Sequence, residues 1–411
     1  MNTYTIDSSI RLEKVESGME TPKYLLSHNG KRFYVGELVY LIINKLTIKS
    51  DLDSICNELN HQNNVKISIE KLSEIVEQRI KPLGVIKGHE TGFQKSRMSY
   101  IFGAITLMEE NTILKVVSPL TFLFNKYVFS LVLLLVSVIH IIFFKDLEFK
   151  EIWGTRLSNS SDSLWIVGLL YVGFFLILMC HEIGHAAATF NYGVKPQKIG
   201  FGFYFLFPVF FTDVSNIWVL GKMKRIMVNV AGIYIQLIIN VVMMGIYHFY
   251  RTECYYIFPL IIVNLGVAIY SLNPFFRYDG YWIYSDLFEI PNLKKQSSEY
   301  PKRLLKRVKG LFSKQAINSQ KPFWQEIPLL LYSFLNQIFW IYILYFFIGV
   351  LITSTRKVGY YYNNYIHGGD AYSLEDTIWF TIRTLFMYGM TMFFVARYLI
   401  NYFKRNKAQV I

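Results

Sequence analysis

Charge is scarce in this 411-residue chain, where 17% of residues are Asp, Glu, Lys or Arg, against about 25% in soluble globular domains. With 53% hydrophobic residues and a mean hydropathy of +0.30, that scarcity argues against a disordered chain and an ordinary cytosolic enzyme. Cysteine is scarcer still. Cys56, Cys180 and Cys254 stand far apart with no Cys-x-x-Cys pair, so neither a disulfide framework nor a thiolate metal site is expected. A metal here would need His and carboxylate ligands. The N-terminal stretch lacks an apolar segment between a basic start and a small-residue cleavage site, so it does not read as a signal peptide. Acidic residues are also few, 29 against 42 Lys+Arg, leaving a formal charge of +13. Alone, that excess suits nucleic acid or an anionic membrane surface. The apolar runs decide for membrane.

Six runs approach the roughly 20 apolar residues that a spanning helix needs: 127–144, 163–187, 226–249, 255–273, 328–353 and 375–400. With both ends inside, the inner segments 188–225, 291–321 and 403–411 carry 17 Lys+Arg and the outer segments 6. This asymmetry places both termini in the cytoplasm of a multi-pass cell-membrane protein. Topology absorbs most of the positive charge, so no nucleic-acid partner is expected. The basic, amphipathic stretch 302–309 is expected to lie on anionic headgroups of the bilayer.

Residues 1–88 read differently. Two β-prone stretches, Tyr24 to His28 and Lys31 to Val35, flank Asn29-Gly30, the strongest short hairpin signal because both residues tolerate positive φ. Three short helices follow: one with Leu38, Leu41, Ile42 and Leu46, one capped by Ser50, and one opened by Ser68 and stopped at Pro82 and Gly84. The expected architecture is a polytopic α-helical membrane protein with an N-terminal α+β winged-helix-like cytosolic domain. Its parts are the winged-helix-like domain at 1–88, an interfacial linker at 89–126 and a transmembrane domain at 127–411.

The second apolar run ends in Cys180-His181-Glu182-Ile183-Gly184-His185. Two histidines four apart project from one helix face, a spacing that holds Zn²⁺ on two nitrogens while the adjacent carboxylate of Glu182 takes a proton from water. An ionisable cluster at the end of an apolar helix is costly in lipid, which points to function. A catalytic zinc needs a third protein ligand and one open position. In Asn273-Pro274-Phe275-Phe276-Arg277-Tyr278-Asp279-Gly280-Tyr281, Pro274 breaks a helix and Gly280 permits close backbone approach, so Asp279 is the candidate third ligand.

His181-Glu182-Ile183-Gly184-His185 on one span, with Asn273-Pro274 before Asp279-Gly280 on a later one, resembles the site-2 protease family of membrane zinc metalloproteases. The resemblance implies one zinc per chain on His181, His185 and Asp279, with Glu182 as catalytic general base. Asn-Pro-x-x-x-x-Asp-Gly-Tyr, the stretch Gly200 to Pro208 and Phe211-Thr212-Asp213-Val214-Ser215 are similar to the branch that includes peptide-maturation metallopeptidases. The hairpin with three helices resembles the leader-peptide recognition element of enzymes that modify ribosomally made peptides. One segment departs: the family's Gly-Pro-x-x-Asn reads Gly232-Ile233-Tyr234-Ile235-Gln236 here, without the Pro or the Asn. Gln236 retains an amide that can donate to a developing oxyanion or a substrate carbonyl.

Gln236, Asn273, Gly202 and Phe203 are the candidate substrate-binding residues. The aromatic, Gly-punctuated stretch 198–207 is expected to pair edgewise with an extended substrate, or else to be a structural hairpin dipping into the membrane. The expected activity is a membrane-embedded zinc endopeptidase acting on a short precursor peptide or membrane-anchored protein, in bacteriocin-like peptide maturation, with an export transporter as a further partner. The alternatives are a regulatory intramembrane protease, which the short outer loops disfavour, and a noncatalytic zinc-containing peptide receptor or transport component.

Overall fold

The computed structural model describes residues 4–7, 9–15, 23–28, 31–48, 51–62, 67–87, 101–145, 163–204, 207–250, 254, 256–312, 324, 326–366, 378, 381–389 and 391–392. Their contacts fall into two units, Met1–Glu289 and Ile290–Ile411.

The first unit begins with an antiparallel sheet of β1 (Arg11–Lys14), β2 (Lys23–His28) and β3 (Lys31–Gly36), in the order β1-β2-β3. His28 pairs with Lys31, so the β2-β3 link is two residues long, as the Asn-Gly signal requires; the turn itself lies outside the described residues. Helices α1 (Glu37–Leu46), α2 (Leu52–Gln62) and α3 (Ile69–Ile75) follow. Ser68 accepts from the Lys71 amide at 3.4 Å and so caps α3. At the start of α2, Asp51 accepts from a first-turn amide, that of Ser54 at 3.1 Å; Ser50, the expected cap, lies outside the described residues. After α3, a tightening turn through Pro82 ends at Gly84, whose φ of 74° is open to glycine. Leu26, Ile42, Ile43, Ile55, Leu59, Leu72, Val76 and Ile80 form a dry core between sheet and helices. Period-2 pairing sends Leu12, Leu26 and Phe33 to that core. Leu25 and Tyr34 take the opposite face, where Tyr34 donates to the Trp218 carbonyl at 3.2 Å and the two rings lie 5.6 Å apart. Burial pushes the Tyr34 phenol above its ordinary pKa.

The stretch expected as an interfacial linker is built into the fold from residue 101 onward. Strand β4 (Ile101–Glu109) leads into α4 (Glu110–Val117), and Ile113, Val117 and Phe124 are fully or almost fully buried. The reason is a distant partner. Strand β4 pairs antiparallel with β5 (Lys198–Tyr204), which pairs on its other side with β6 (Phe207–Thr212). Two glycines permit this close sheet: a Cβ on Gly200 would stand 2.6 Å from the Ile105 carbonyl, and one on Gly202 would stand 2.5 Å from the Ile101 side chain.

The other helices of this unit are α5 (Lys126–Lys145), α6 (Ser163–Asn191), which packs on β6, α7 (Lys222–Phe249), α8 (Ile257–Ser271) and α9 (Asp279–Leu287). Helices α6 and α7 pack closely because their seam is small: Ala186, Ala187 and Ala188 are fully buried, and a Cβ on Gly184 would meet the Ala231 carbonyl at 2.8 Å.

The second unit holds α10 (Leu293–Phe312) and α11 (Ile327–Ile366). Leu293, Ser297 and Tyr300 recur at helical spacing on the buried side of α10, and Lys294 lies over the Trp340 ring of α11 at 5.8 Å.

Among the described residues, four helices are long and apolar enough to cross a bilayer: Lys126–Lys145, Gly168–Asn191, Lys222–Phe249 and Ile327–Tyr360. The run expected at 255–273 folds as the 15-residue α8, roughly 22 Å long and short of a hydrocarbon core of about 30 Å. The run at 375–400 lies mostly outside the described residues.

Candidate metal centre

Helix α6 carries His181 and His185 one turn apart, and both side chains are about nine-tenths buried. Each ring is fixed through Nδ1. His185 Nδ1 stands 2.7 Å from the Val228 carbonyl and His181 Nδ1 stands 2.8 Å from Gln236 Oε1, both on α7. A carbonyl oxygen only accepts, so both histidines donate from Nδ1, and each as a neutral imidazole presents a lone pair at Nε2. Room for the His181 ring comes from Gly232, where a Cβ would meet the ring at 2.5 Å. Gly232, at the head of the segment Gly232-Ile233-Tyr234-Ile235-Gln236, thus contributes space here.

The third group arrives from a break in the chain. Helix α8 ends at Ser271, and Asn273 Oδ1 accepts from the Phe275 amide at 2.9 Å, closing a turn that Pro274 keeps from continuing as helix. Tyr278 is extended and Asp279 opens α9, where a carboxylate suits the positive end of the helix dipole. A Cβ on Gly280 would land on the Leu272 carbonyl, so only glycine lets α9 return against the end of α8. Gly280→Ala is expected to destabilise the protein by about 1–3 kcal/mol, the usual overpacking cost, and to lower metal content by moving Asp279; thermal unfolding and metal analysis of one preparation check both effects.

The three donors converge. His181 Nε2 lies 3.0 Å from His185 Nε2, 3.1 Å from Asp279 Oδ2, and His185 Nε2 lies 3.3 Å from Asp279 Oδ1. Asp279 Oδ2 is buried without a hydrogen-bond donor. Two neutral imidazoles that turn Nε2 lone pairs toward a carboxylate and toward each other repel, unless a cation holds them together. A tetrahedral zinc with ligand distances of about 2.0–2.1 Å would separate its ligand atoms by roughly 3.3 Å, so the donor set fits such an ion. His181, His185 and Asp279 form the one group able to hold a metal among the described residues.

The other candidate residues fall into different places. Glu182 follows His181 on α6 and is partly exposed; its backbone carbonyl accepts from the Thr212 hydroxyl at 2.9 Å, tying β6 to the motif helix. Gln236 is fully buried with both ends of its amide engaged, one by His181 and the other by Asn264 at 2.9 Å. Asn273 spends its side chain on its own turn. Gly202 and Phe203 sit in β5, which is the central strand. Both edges of β5 are occupied, so edgewise pairing of a substrate with 198–204 is ruled out. Among the described residues the open edges of that sheet belong to β4 and β6. Sequence reasoning missed Val228, whose backbone carbonyl leaves no mark in the sequence. It also missed the pair Arg225 and Asp286, joined at 2.7 Å, with Asn229 donating to the same carboxylate at 3.1 Å. Burial pushes the Asp286 carboxyl up, against the pull of Arg225.

Two curated proteins are similar to parts of the chain. One, named "Putative peptide zinc metalloprotease protein YydH", from Bacillus subtilis, is 25% identical over 157 residues, which are 38% of this chain and 58% of that protein. The other, "Zinc metalloprotease MJ0392" from Methanocaldococcus jannaschii, is 28% identical over 130 residues, 31% of this chain and 35% of that protein. The chain therefore spans less than two thirds of the length of either relative. No protein-family model matches the chain, and no solved structure does. By its His-Glu-x-x-His and Asn-Pro…Asp-Gly segments and by these relatives, the chain is similar to the zinc metalloproteases and resembles those of the site-2 protease family.

Proposed function

We propose that the protein is a membrane-embedded zinc endopeptidase that hydrolyses a peptide bond in a short precursor peptide or membrane-anchored substrate, in bacteriocin-like peptide maturation. The observation that carries this reading is the meeting of two Nε2 lone pairs and one carboxylate within 3.0–3.3 Å of one another beside Glu182. Zinc held there would supply Lewis acidity toward a peptide carbonyl and toward water. Glu182 takes the proton of the attacking water and returns it to the departing amine. His181 and His185, fixed through Nδ1, keep their Nε2 atoms turned to the ion, and the apolar faces of α6 and α7 limit competing water.

A substrate must offer extended backbone, because a helical peptide bond has its carbonyl engaged. The open edge of β6 is the favoured docking strand, since Thr212 fastens it to Glu182. The N-terminal domain supplies selectivity in this reading. In its sheet β2 is enclosed by β1 and β3, so of the two strands considered for capture, Tyr24 to His28 and Lys31 to Val35, the second is favoured: among the described residues the outer edge of β3 pairs with no strand. Tyr34 of β3 touches Trp218, which brings a captured segment near the core at raised effective concentration. Both termini lie in the cytoplasm on this reading, as the Lys+Arg asymmetry favours.

The reading is tested on purified full-length protein in detergent. One bound zinc, lost when His181→Ala and His185→Ala are combined, and chelator-sensitive cleavage of an unfolded membrane-anchored protein are expected; a metal-free wild type would overturn it. Removing residues 1–88 is expected to spare the metal and to lower cleavage of the cognate peptide at low substrate concentration, with little change at saturation. Unchanged turnover at low concentration would refute tethering.

A further inference from the structure

Four polar side chains lie among the apolar helices, three of them fully buried and His140 partly so. Gln236 and Asn240 sit one turn apart on α7, Asn264 on α8 and His140 on α5. Gln236, Asn240 and Asn264 are fully buried. A buried amide costs stability unless its donors and acceptors are met. Here they meet one another in a single file. Gln236 Nε2 donates to Asn264 Oδ1 at 2.9 Å, Asn264 Nδ2 donates to Asn240 Oδ1 at 2.7 Å, and Asn240 Nδ2 donates to His140 Nε2 at 3.5 Å. At the other end Gln236 Oε1 receives His181 Nδ1 at 2.8 Å.

The direction of this file is fixed by backbone carbonyls, which cannot donate. Asn264 Nδ2 also stands 3.0 Å from the Gln236 carbonyl, and Asn240 Nδ2 stands 3.3 Å from the Ile261 carbonyl. His140 Nδ1 stands 2.8 Å from the Val136 carbonyl, leaving its Nε2 as acceptor. Turning Gln236 over would set its oxygen against Asn264 Oδ1. Turning Asn264 as well would set an oxygen against the Gln236 carbonyl. Every alternative therefore leaves two acceptors face to face inside an apolar bundle.

We propose that Gln236, Asn264 and Asn240, with His140 as the distal end, form a directional hydrogen-bond relay that sets the tautomer of His181 and so turns its Nε2 lone pair toward the metal. They are positioning residues, acting on His181 through Gln236. His185 needs no such relay because a backbone carbonyl holds it directly. The two ligands thus differ: His185 is oriented by a group no substitution removes, and His181 by side chains on three neighbouring helices. The 3.5 Å link to His140 is the longest and weakest, so the influence fades toward α5. This inference rests on the zinc reading above.

The test is a double-mutant cycle on zinc affinity, measured by competition with a chromophoric chelator on full-length protein in detergent, beside thermal unfolding. Gln236→Leu is expected to weaken affinity about 10–100-fold, the usual effect of losing a partner of a ligating histidine. Asn264→Leu, which touches neither ligand, is expected to weaken it by a smaller factor, and to add nothing in the Gln236→Leu background. Gln236→Glu, which still accepts from Nδ1–H, is expected to restore most of the affinity. Full affinity in Gln236→Leu, or additive losses in the double variant, would overturn the relay even if both variants unfold at lower temperature. A wild type that binds no zinc would sink the zinc reading instead. In that event ¹⁵N-histidine spectra of the metal-free protein in bilayers decide: His181 protonated on Nδ1 in the wild type and of mixed tautomer in Gln236→Leu supports the relay, and the same tautomer in both overturns it.

Discussion

Glu182→Gln is expected to lower peptide-bond cleavage by about 10²–10⁴-fold, the usual share of a general base, while the purified protein retains its metal. The amide has nearly the shape of the carboxylate but cannot take a proton at neutral pH. Retention of metal is expected because the donor set is complete without Glu182: His181, His185 and Asp279 meet on their own. Activity on a candidate peptide and metal content, read on the same preparation, check the result. The comparison also separates an enzyme from a receptor that keeps the pocket for binding alone. A receptor's response to peptide would survive the substitution; a protease's product would all but vanish.

The second large effect lies at the pair that fastens α7 to α9. Arg225 Nε stands 2.7 Å from Asp286 Oδ1, and its side chain is 11% exposed against 19% for Asp286. Arg225 also donates to the Leu220 carbonyl at 2.7 Å. Asp286→Ala leaves a guanidinium in a nearly dry place with its main acceptor gone, which is expected to cost about 3–5 kcal/mol. The paired change Arg225→Met with Asp286→Leu removes both charges and is expected to recover most of that loss. Thermal unfolding of the three proteins in one detergent checks the order. Because Asp286 lies two turns beyond Asp279 on α9, the single variant is also expected to hold metal more loosely.

The histidine motif was legible because its chemistry is local. Two imidazoles four apart on a helix share a face whatever surrounds them, and a Pro-broken, Gly-containing segment can present an aspartate from irregular backbone. The hairpin and three helices before residue 88 were legible for the same reason, through an Asn-Gly turn, a Ser cap and a Pro-Gly stop. What escaped depends on partners far along the chain. Strand β4 reads as a surface lead-in until β5 is seen beside it, and β5 reads as a free edge until β4 and β6 enclose it. The apolar run at 255–273 shows composition without showing where the helix ends, which Asn273 and Pro274 decide. Gln236 stands out as an amide in an apolar helix, but only the fold shows that it meets the His181 ring.

The seating of Tyr34 on Trp218 has a consequence for where a peptide would be cut. If a segment is gripped along β3, the grip and the blade belong to one frame, and the span between them is a fixed length of chain. Such a device counts residues and does not read the side chains at the scissile bond. Inserting two or three residues between gripped segment and cleavage point should then shift the cut by the same number, which mass spectrometry of the products would register; a cut that follows its original sequence would mean the blade does its own choosing.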